Sequence, residues 1–538
     1  MNKSLGRIGW IEGRRVPKDL GRGDFFQSLS TEDLIREALE PLSKYAEAQP
    51  AAIAVDDGVL RLTYVELWRA VQSLAAAIQA VTSPDAMVLA LVKSDVYFPV
   101  MLFGAHLAGR PIVLQDATNP IDRQNVIFDE VAAVAGVVLV APGSGLDTGY
   151  ISSGVPRITV DLDPPGPIVP IRRSVGQDEF FAILFTSGST NRPKGSAHGS
   201  HTMALYAQVS INQLQLSSDD IVLCVGSPST LGLRDALISL LSGARLRLLD
   251  IKQAGLPEAF RVLAEEKITI LNLVPSVLRA VMRIPGAERA FATLRVLGVA
   301  GEPMSKDDLI LFRSKLPPKC EINFALAMTE AGEVFHWLVR DDAVEGPGVP
   351  PGFLAEGRRI MVADEEGRPV EQGQVGELVL SDDYVALGDW VDNRIDTTRF
   401  PTDPSTGKRV YASGDLVRMR SDGLFEFAGR RDRMVKVLGQ RANLAEIETV
   451  LNAVPGISDA VVVASARDDN TSLVAFVVLQ PGIDIDDREL RRRAAQGAAP
   501  HMTPTAIHRL DVIPRLHNGK PDLVRLRSIA ESADRSSR

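Results

Sequence analysis

Cysteine is nearly missing from this chain: its 538 residues hold only Cys224 and Cys320, far apart and in no CxxC spacing. That excludes a disulfide framework and a cysteine-based zinc site, and it points to a reducing, cytoplasmic setting. A surplus of positive charge is missing too, since 59 Lys plus Arg stand against 68 Asp plus Glu, a net charge of −9. Without a cationic excess, neither nucleic acid nor an anionic membrane is an expected partner. Long hydrophobic stretches are also absent. The opening MNKSLGRIGWIEGRRVPKD lacks the apolar core of a secretory signal, and the uncharged run from Val131 to Gly145 is too short to cross a bilayer. Neither GxxxxGK[ST] nor GxGxxG occurs, so a Walker loop and a Rossmann fingerprint are both excluded.

What is present has ordinary globular proportions, 45% apolar and 24% charged residues, and at roughly 150 residues per domain the length allows several domains. Residues 1–30 are polar and aperiodic, and read as an extension lying on a surface. From Leu34 onward, helical patterns such as LTYVELWRAVQSLAAAIQAV alternate with short apolar runs such as MVLALV, PIVL, IVLCVG and KITILNLVP. That rhythm predicts layered α/β structure with buried, mostly parallel strands. After Pro350 short strands and turns suggest a small β subdomain. Near GRRDRMVKV the texture changes again, to an α+β pattern of about a hundred residues. The expected organisation is an extension 1–30, a large α/β body 31–431 and a small, mobile C-terminal α+β domain 432–538. The basic run RELRRRAA reads as a solvated helix face.

The most informative stretch is FFAILFTSGSTNRPKGSAHG, residues 180–199. Gly188 lets backbone approach an anion, the hydroxyls of Thr186, Ser187, Ser189 and Thr190 can donate to phosphate oxygens, and Lys194 supplies a positive charge. Taken alone, such a cluster after a strand is as often an ordinary loop. His198 and His201 follow it without metal spacing and read as structural.

TSGSTNRPKG resembles the TSGSTGxPKG signature of the acyl-adenylate-forming superfamily, which includes acyl-CoA synthetases, luciferases and the adenylation domains of nonribosomal peptide synthetases. GVAGEPMS, ALAMTEAG, GELVL, YASGDLVR, FEFAGRRDRMVKVLGQRANLAEIE and HNGKPD follow in the family's order, so the resemblance covers about residues 30–525. It implies a carboxylate attacking the α-phosphate of ATP, giving acyl-AMP and pyrophosphate, then acyl transfer to a thiol. Such chemistry needs aligned anions and compensating cations, with no protein nucleophile.

By resemblance, Glu330 is a magnesium ligand and Thr329 meets the α-phosphate. Gly301 and Glu302 belong to the nucleotide site, Asp415 accepts from the ribose hydroxyls and Arg430 holds the nucleotide. Lys520 is the catalytic cation that bridges carboxylate and phosphate. Asp432 is the hinge of the small domain, and Gly439 lines a thiol tunnel. Two departures stand out. Asn191 replaces a usual glycine, and Leu326-Ala327-Met328 lacks the ring that stacks on adenine.

Amino-acid-activating members carry an Asp that pairs with the substrate's α-ammonium, and aligning backward from LLSGARL puts Thr230 there. A neutral Thr cannot replace that charge. The same spacing places Leu231, Arg234, Asn272, Gly298, Ala300, Ala325, Glu333 and Val334 around the acid. Arg234 and Glu333 would pair with each other, pair with a polar or zwitterionic substrate, or point into solvent. NGKPD resembles the ending of carrier-loading adenylation domains more than that of CoA synthetases. The chain runs to Arg538 without a phosphopantetheine-accepting motif, so a separate carrier protein is the expected acceptor. An acyl- or aryl-CoA synthetase and a nucleotide- or acyl-binding protein without turnover are the alternatives.

Overall fold

The apolar runs Met87–Val92 and Ile112–Asp116 become adjacent parallel strands, buried along their whole length. A strand covered on both faces has no use for polar alternation, which is why both read as continuous hydrophobic runs. They sit in an eight-stranded sheet whose order continues through Phe180–Ser187, Pro193–Gly199 and Gly388–Val391. The computed structural model describes residues 9–13, 39–143, 154–165, 179–187, 193–339, 348–437, 440–452, 454–467, 470–480, 502–515 and 521–536, with a few residues between these spans.

A second sheet, of nine strands, has at its centre the parallel strands Arg245–Leu248, Ile221–Cys224, Ile270–Leu273, Val296–Ala300 and Glu321–Met328. Its last long strand, Gly332–Leu338, returns antiparallel to Glu321–Met328. Helices Tyr64–Val81 and Tyr97–Ala108 share one core with both sheets: Leu67, Val71, Phe98 and Phe103 pack with Val88 and Ile112 of one and Val222 and Leu246 of the other. Helix Tyr64–Val81 starts where it does because Thr63 and Glu66 form a reciprocal capping box.

A five-stranded antiparallel sheet holds Arg359–Ala363, Val375–Ser381, Val410–Met419 and Phe425–Arg430, and realises the β texture seen after Pro350. Ile11–Glu12 of the N-terminal extension pairs along its edge, with the Arg359 guanidinium 4.2 Å above the Trp10 ring. The C-terminal part has its own cores, built on strands Ile457–Arg467, Asn470–Leu479 and Ala506–Arg509 and helices Leu444–Asn452 and Leu523–Ser536. Half of the basic RELRRRAA run, Arg491 and residues 493–495, lies outside the described residues.

Both cysteines are buried and unpaired, and burial pushes both thiols up, Cys320 to about 12. His198 is fully buried beside Tyr206; burial, reinforced by Arg409, pulls its imidazole down to about 3, so it stays neutral. Among the described residues no helix is long and apolar enough to cross a membrane.

Candidate active site

The phosphate loop joins two antiparallel strands, with Thr186 opposite Lys194 and Ser187 opposite Pro193. Gly188, Ser189, Thr190 and Asn191 lie outside the described residues, as do Lys520 and Gly439. On its other side the strand carrying Lys194 pairs with Gly388–Val391, register Ser196 to Asp389 and Gly195 to Trp390. Asp389 is thereby brought within electrostatic range of Lys194.

Thr329 and Glu330 occupy the turn between Glu321–Met328 and Gly332–Leu338. The turn is fixed from behind. The Ala386 N–H donates to the Glu330 carbonyl at 2.8 Å, and Arg358 Nη1 donates to the Ala331 carbonyl at 2.8 Å. Arg358 is itself buried, with Nε 3.3 Å from Asp382. The Glu330 carboxylate is partly exposed, with Arg399 Nη2 3.9 Å away, and its charge acts on the Tyr411 hydroxyl. Arg399 also donates to the Tyr411 hydroxyl at 2.9 Å and to Asp389 at 3.1 Å. Sequence reasoning named none of Arg399, Tyr411 and Asp389. The only signal was that Tyr411 opens the YASGD motif.

Asp415 faces Arg430 across adjacent strands, Nη1 to Oδ1 2.8 Å, and Glu330 lies close enough to act on its charge. Burial pushes the Asp415 carboxyl up to about 6, with Arg430 opposing the rise. The residues on either side of Asp432 are tied in different directions. Arg431 donates to Glu377 of the five-stranded sheet at 2.6 Å, whereas Arg433 donates to Glu448 and to the Val462 carbonyl of the C-terminal part at 2.7 and 2.9 Å. The Asp432 carboxylate accepts from Arg430 at 3.1 Å.

Glu302 caps a helix in this structure. Its carboxylate accepts from the Ser276 backbone N–H and hydroxyl, both at 2.9 Å, at the start of helix Pro275–Met282. An anion there satisfies free N–H groups and the helix dipole, so this side chain is committed to a cap. Gly301 precedes it with φ of 87°, a conformation that favours glycine.

Where the sequence places the acid, Arg234 and Glu333 do meet: Nη2 lies 3.5 Å from Oε2, and Glu333 Oε1 lies 3.0 Å from His336 Nδ1. Arg234 also donates to Ser210 Oγ at 3.3 Å. Beneath it lies Asp235, fully buried and not foreseen, which accepts from Asn272 Nδ2 at 2.9 Å. Burial pushes this carboxyl up to about 7, against the lowering pull of Arg234 and Asn272. Gly298 is required beside it, since a Cβ there would overlap Asn272 Oδ1. Thr230 is exposed at the N-terminus of helix Leu231–Leu240, and Leu231 is half-buried. Ala325 is buried on the strand next to Ala300, its register partner.

Val334 departs from its expected place. Leu326 pairs with Phe335 but Ala327 pairs with Glu333, so Val334 is the extra residue of a bulge. It joins Phe335, Ala331 and Leu354 in the core behind the strand, away from Arg234.

Lys194, Glu330, Asp415 and Arg430 thus come from four separate motifs to one region. The partly exposed Glu330 carboxylate, in one region with Lys194 and Arg430, suits magnesium shared with phosphate oxygens, which needs few protein ligands. Among the described residues no group of three metal-ligating side chains occurs.

The family model described as AMP-binding enzyme matches residues 42–390, and that of the AMP-binding enzyme C-terminal domain matches residues 446–520. AMB antimetabolite synthetase AmbB of Pseudomonas aeruginosa is 28% identical over 96% of this chain, and 41% of that protein is covered. Enterobactin synthase component F of Escherichia coli is 27% identical over 89% of this chain and 38% of its own length. The chain spans less than half the length of these curated relatives. Among solved structures, the anthranilate CoA ligase AuaEII in complex with anthranoyl-AMP superposes with a TM-score of 0.81 over 94% of this chain and 100% of that one, at 20% identity. The amide bond synthetase McbA from Marinactinospora thermotolerans gives 0.80 over 92% and 99%, also at 20% identity.

Proposed function

This chain belongs to the AMP-binding enzymes, a family of ATP-dependent acid ligases, and from that premise we propose that it activates a small carboxylic acid as acyl-AMP, releasing pyrophosphate, and passes the acyl group to the phosphopantetheine thiol of a separate carrier protein. The observation that carries this reading is the convergence of Lys194, Glu330, Asp415 and Arg430. Glu330 acts on the charge of both Asp389 and Asp415, Lys194 on that of Asp389, and Arg430 is bonded to Asp415.

In this reading the substrate carboxylate attacks the α-phosphorus of ATP, and the bond to the bridging oxygen breaks toward pyrophosphate. Lys194 and the loop hydroxyls from Thr186 to Thr190 hold the phosphates, and Thr329 donates to the α-phosphate. Glu330 contributes the protein ligand for magnesium, which when bound screens the phosphate charge. Asp415 accepts from the ribose hydroxyls while Arg430 holds its carboxylate in place. Lys520 reaches the site as a compact mobile cation placed between the two reacting anions. None of these groups forms a covalent bond to substrate; their contribution is alignment and fixed charge.

The acid would lie against Arg234, Asn272, Gly298 and Ala325, where a paired Arg234 and Glu333 leave the cavity polar without an unpaired charge. Thr230 offers no carboxylate to an α-ammonium group. The NGKPD ending supports a carrier protein as acceptor, and CoA is the second acceptor to test.

The experiment is acid-dependent exchange of labelled pyrophosphate into ATP with magnesium, across α-amino, β-amino, aryl, dicarboxylic and short fatty acids. Exchange with any one of them supports adenylation. Silence across the panel with folded, ATP-binding protein would favour a binding protein without turnover. Product release driven by CoA alone would exchange the carrier for CoA.

A further inference from the structure

Glu330 already has a cation of its own in the protein. Arg399 Nη2 lies 3.9 Å from its carboxylate, too far for a full hydrogen bond and near enough for Coulombic attraction. The guanidinium is held by two other groups: the Tyr411 hydroxyl at 2.9 Å, and Asp389, to whose two oxygens Nη1 donates at 3.2 and 3.1 Å. Tyr411 is buried and stacks on Phe400 with ring centroids 5.0 Å apart and planes 7° from parallel, so its hydroxyl is a fixed post. Asp389 is fixed by the strand pairing that sets it opposite Ser196, two residues from Lys194. The Arg399 side chain is 45% exposed, so the held guanidinium remains open to solvent.

Glu330 lies between two other carboxylates, acting on the charge of Asp389 and on that of Asp415. Without a cation beside it, repulsion from the other two would displace the Glu330 carboxylate. A planar guanidinium, unlike an ammonium, can satisfy Tyr411 and Asp389 at once and still present charge to a third group. The incomplete contact to Glu330 is also one that an arriving cation can take over at little cost.

We propose that Arg399 is a positioning residue, the resting counter-ion of Glu330. It holds that carboxylate ready before nucleotide arrives, cedes it to magnesium, and keeps its own charge beside the phosphates because Asp389 and Tyr411 retain it. This rests on the reading of Glu330 as the carboxylate that meets the metal.

The consequence is a pair of effects with opposite sign. Removing Arg399 takes a cation from ATP arriving without metal, and it leaves Glu330 uncompensated and more attractive to magnesium. The test is equilibrium binding of ATP to the full chain by calorimetry, once with a chelator present and once across a magnesium titration, for wild type, Arg399→Met and Arg399→Lys. Arg399→Met is expected to weaken metal-free ATP binding by about fivefold, the scale of one half-exposed ion pair, and to lower the half-saturating magnesium concentration by a similar factor. Arg399→Lys should recover part of both changes. Loss of both affinities together with a lowered melting temperature, or no change in either, overturns the proposal and leaves Arg399 a structural residue. Failure of the wild-type chain to bind ATP under either condition overturns the nucleotide reading of the site, and this proposal with it.

Discussion

Asp415 and Arg430 are register partners on neighbouring antiparallel strands, joined by a 2.8 Å contact whose carboxyl is nonetheless pushed up from 3.8 to about 6. Desolvation outweighs the arginine there. The native state holds this proton more tightly than the unfolded chain does, so the stability it contributes is complete below pH 3.8 and is lost as the pH rises through about 6. Nucleotide binding should run the other way, since an ionised Asp415 is the better acceptor for ribose hydroxyls. AMP affinity measured between pH 5 and pH 8 is expected to fall below about pH 6. In Asp415→Asn that inflection should disappear; a wild-type profile flat through that range would remove Asp415 from the ribose.

Lys520 tests the chemistry more directly. Lys520→Ala is expected to lower pyrophosphate exchange by about 10²-fold or more, the scale for removing one preorganised charge from a transition state, while the melting temperature stays at the wild-type value. Near-normal exchange in that variant would take the lysine out of the reaction.

Gly298 is the sharpest steric probe of the acid pocket. In Gly298→Ala the new methyl overlaps Asn272 Oδ1, whose amide is already tied to Asp235. The amide must shift or break that bond. Exchange kinetics should show a raised KM for the acid with an unchanged KM for ATP, and equal changes in both would place Gly298 outside the acid's reach.

Thr230 bears on which acid enters. Thr230→Asp adds a carboxylate at a helix N-terminus, where an anion is well tolerated, so folding should be preserved. If the pocket is oriented as proposed, the variant gains exchange activity with α-amino acids relative to acids lacking that amine. An unchanged ranking across the panel would mean that the substrate's α-carbon lies elsewhere.

Arg358 concerns stability. It is buried with Asp382 and bonded to the Ala331 carbonyl next to Glu330. Arg358→Leu leaves Asp382 buried without its cation, a change worth about 3–5 kcal/mol. Denaturant unfolding should report that loss, and the double variant with Asp382→Leu should recover much of it.

The parts of this molecule written in contiguous residues could be read in advance. Apolar runs such as Met87–Val92 gave strands because nothing polar interrupts them, and Thr329-Glu330 and Ser413-Gly414-Asp415 kept their order within short motifs. What could not be read depends on partners far apart in the chain. Arg399 matters because a strand pairing brings Asp389 beside Lys194, nearly two hundred residues earlier in the sequence. Val334 left the pocket because one bulge changes which side a residue faces, and no local pattern announces a bulge. The contact of the Glu302 carboxylate with the helix end at Ser276 is likewise unannounced by the motif around Glu302. Asp235 resembled any polar residue of helix Leu231–Leu240 until Asn272 was set beneath it.

The two arginines beside Asp432 have a mechanical meaning. Arg431 is fastened to Glu377 and Arg433 to Glu448, so each guanidinium belongs to a different side of the junction. If the small domain turns about Asp432, each arginine travels with its own anchor, and neither ion pair has to break. Among the contacts put at risk is Arg430 to Asp432, of the solvent-exposed kind worth about 1 kcal/mol or less. On that expectation the joint would be a bearing and not a spring, storing little energy in either pose and leaving the occupancy of each to whichever ligand is bound.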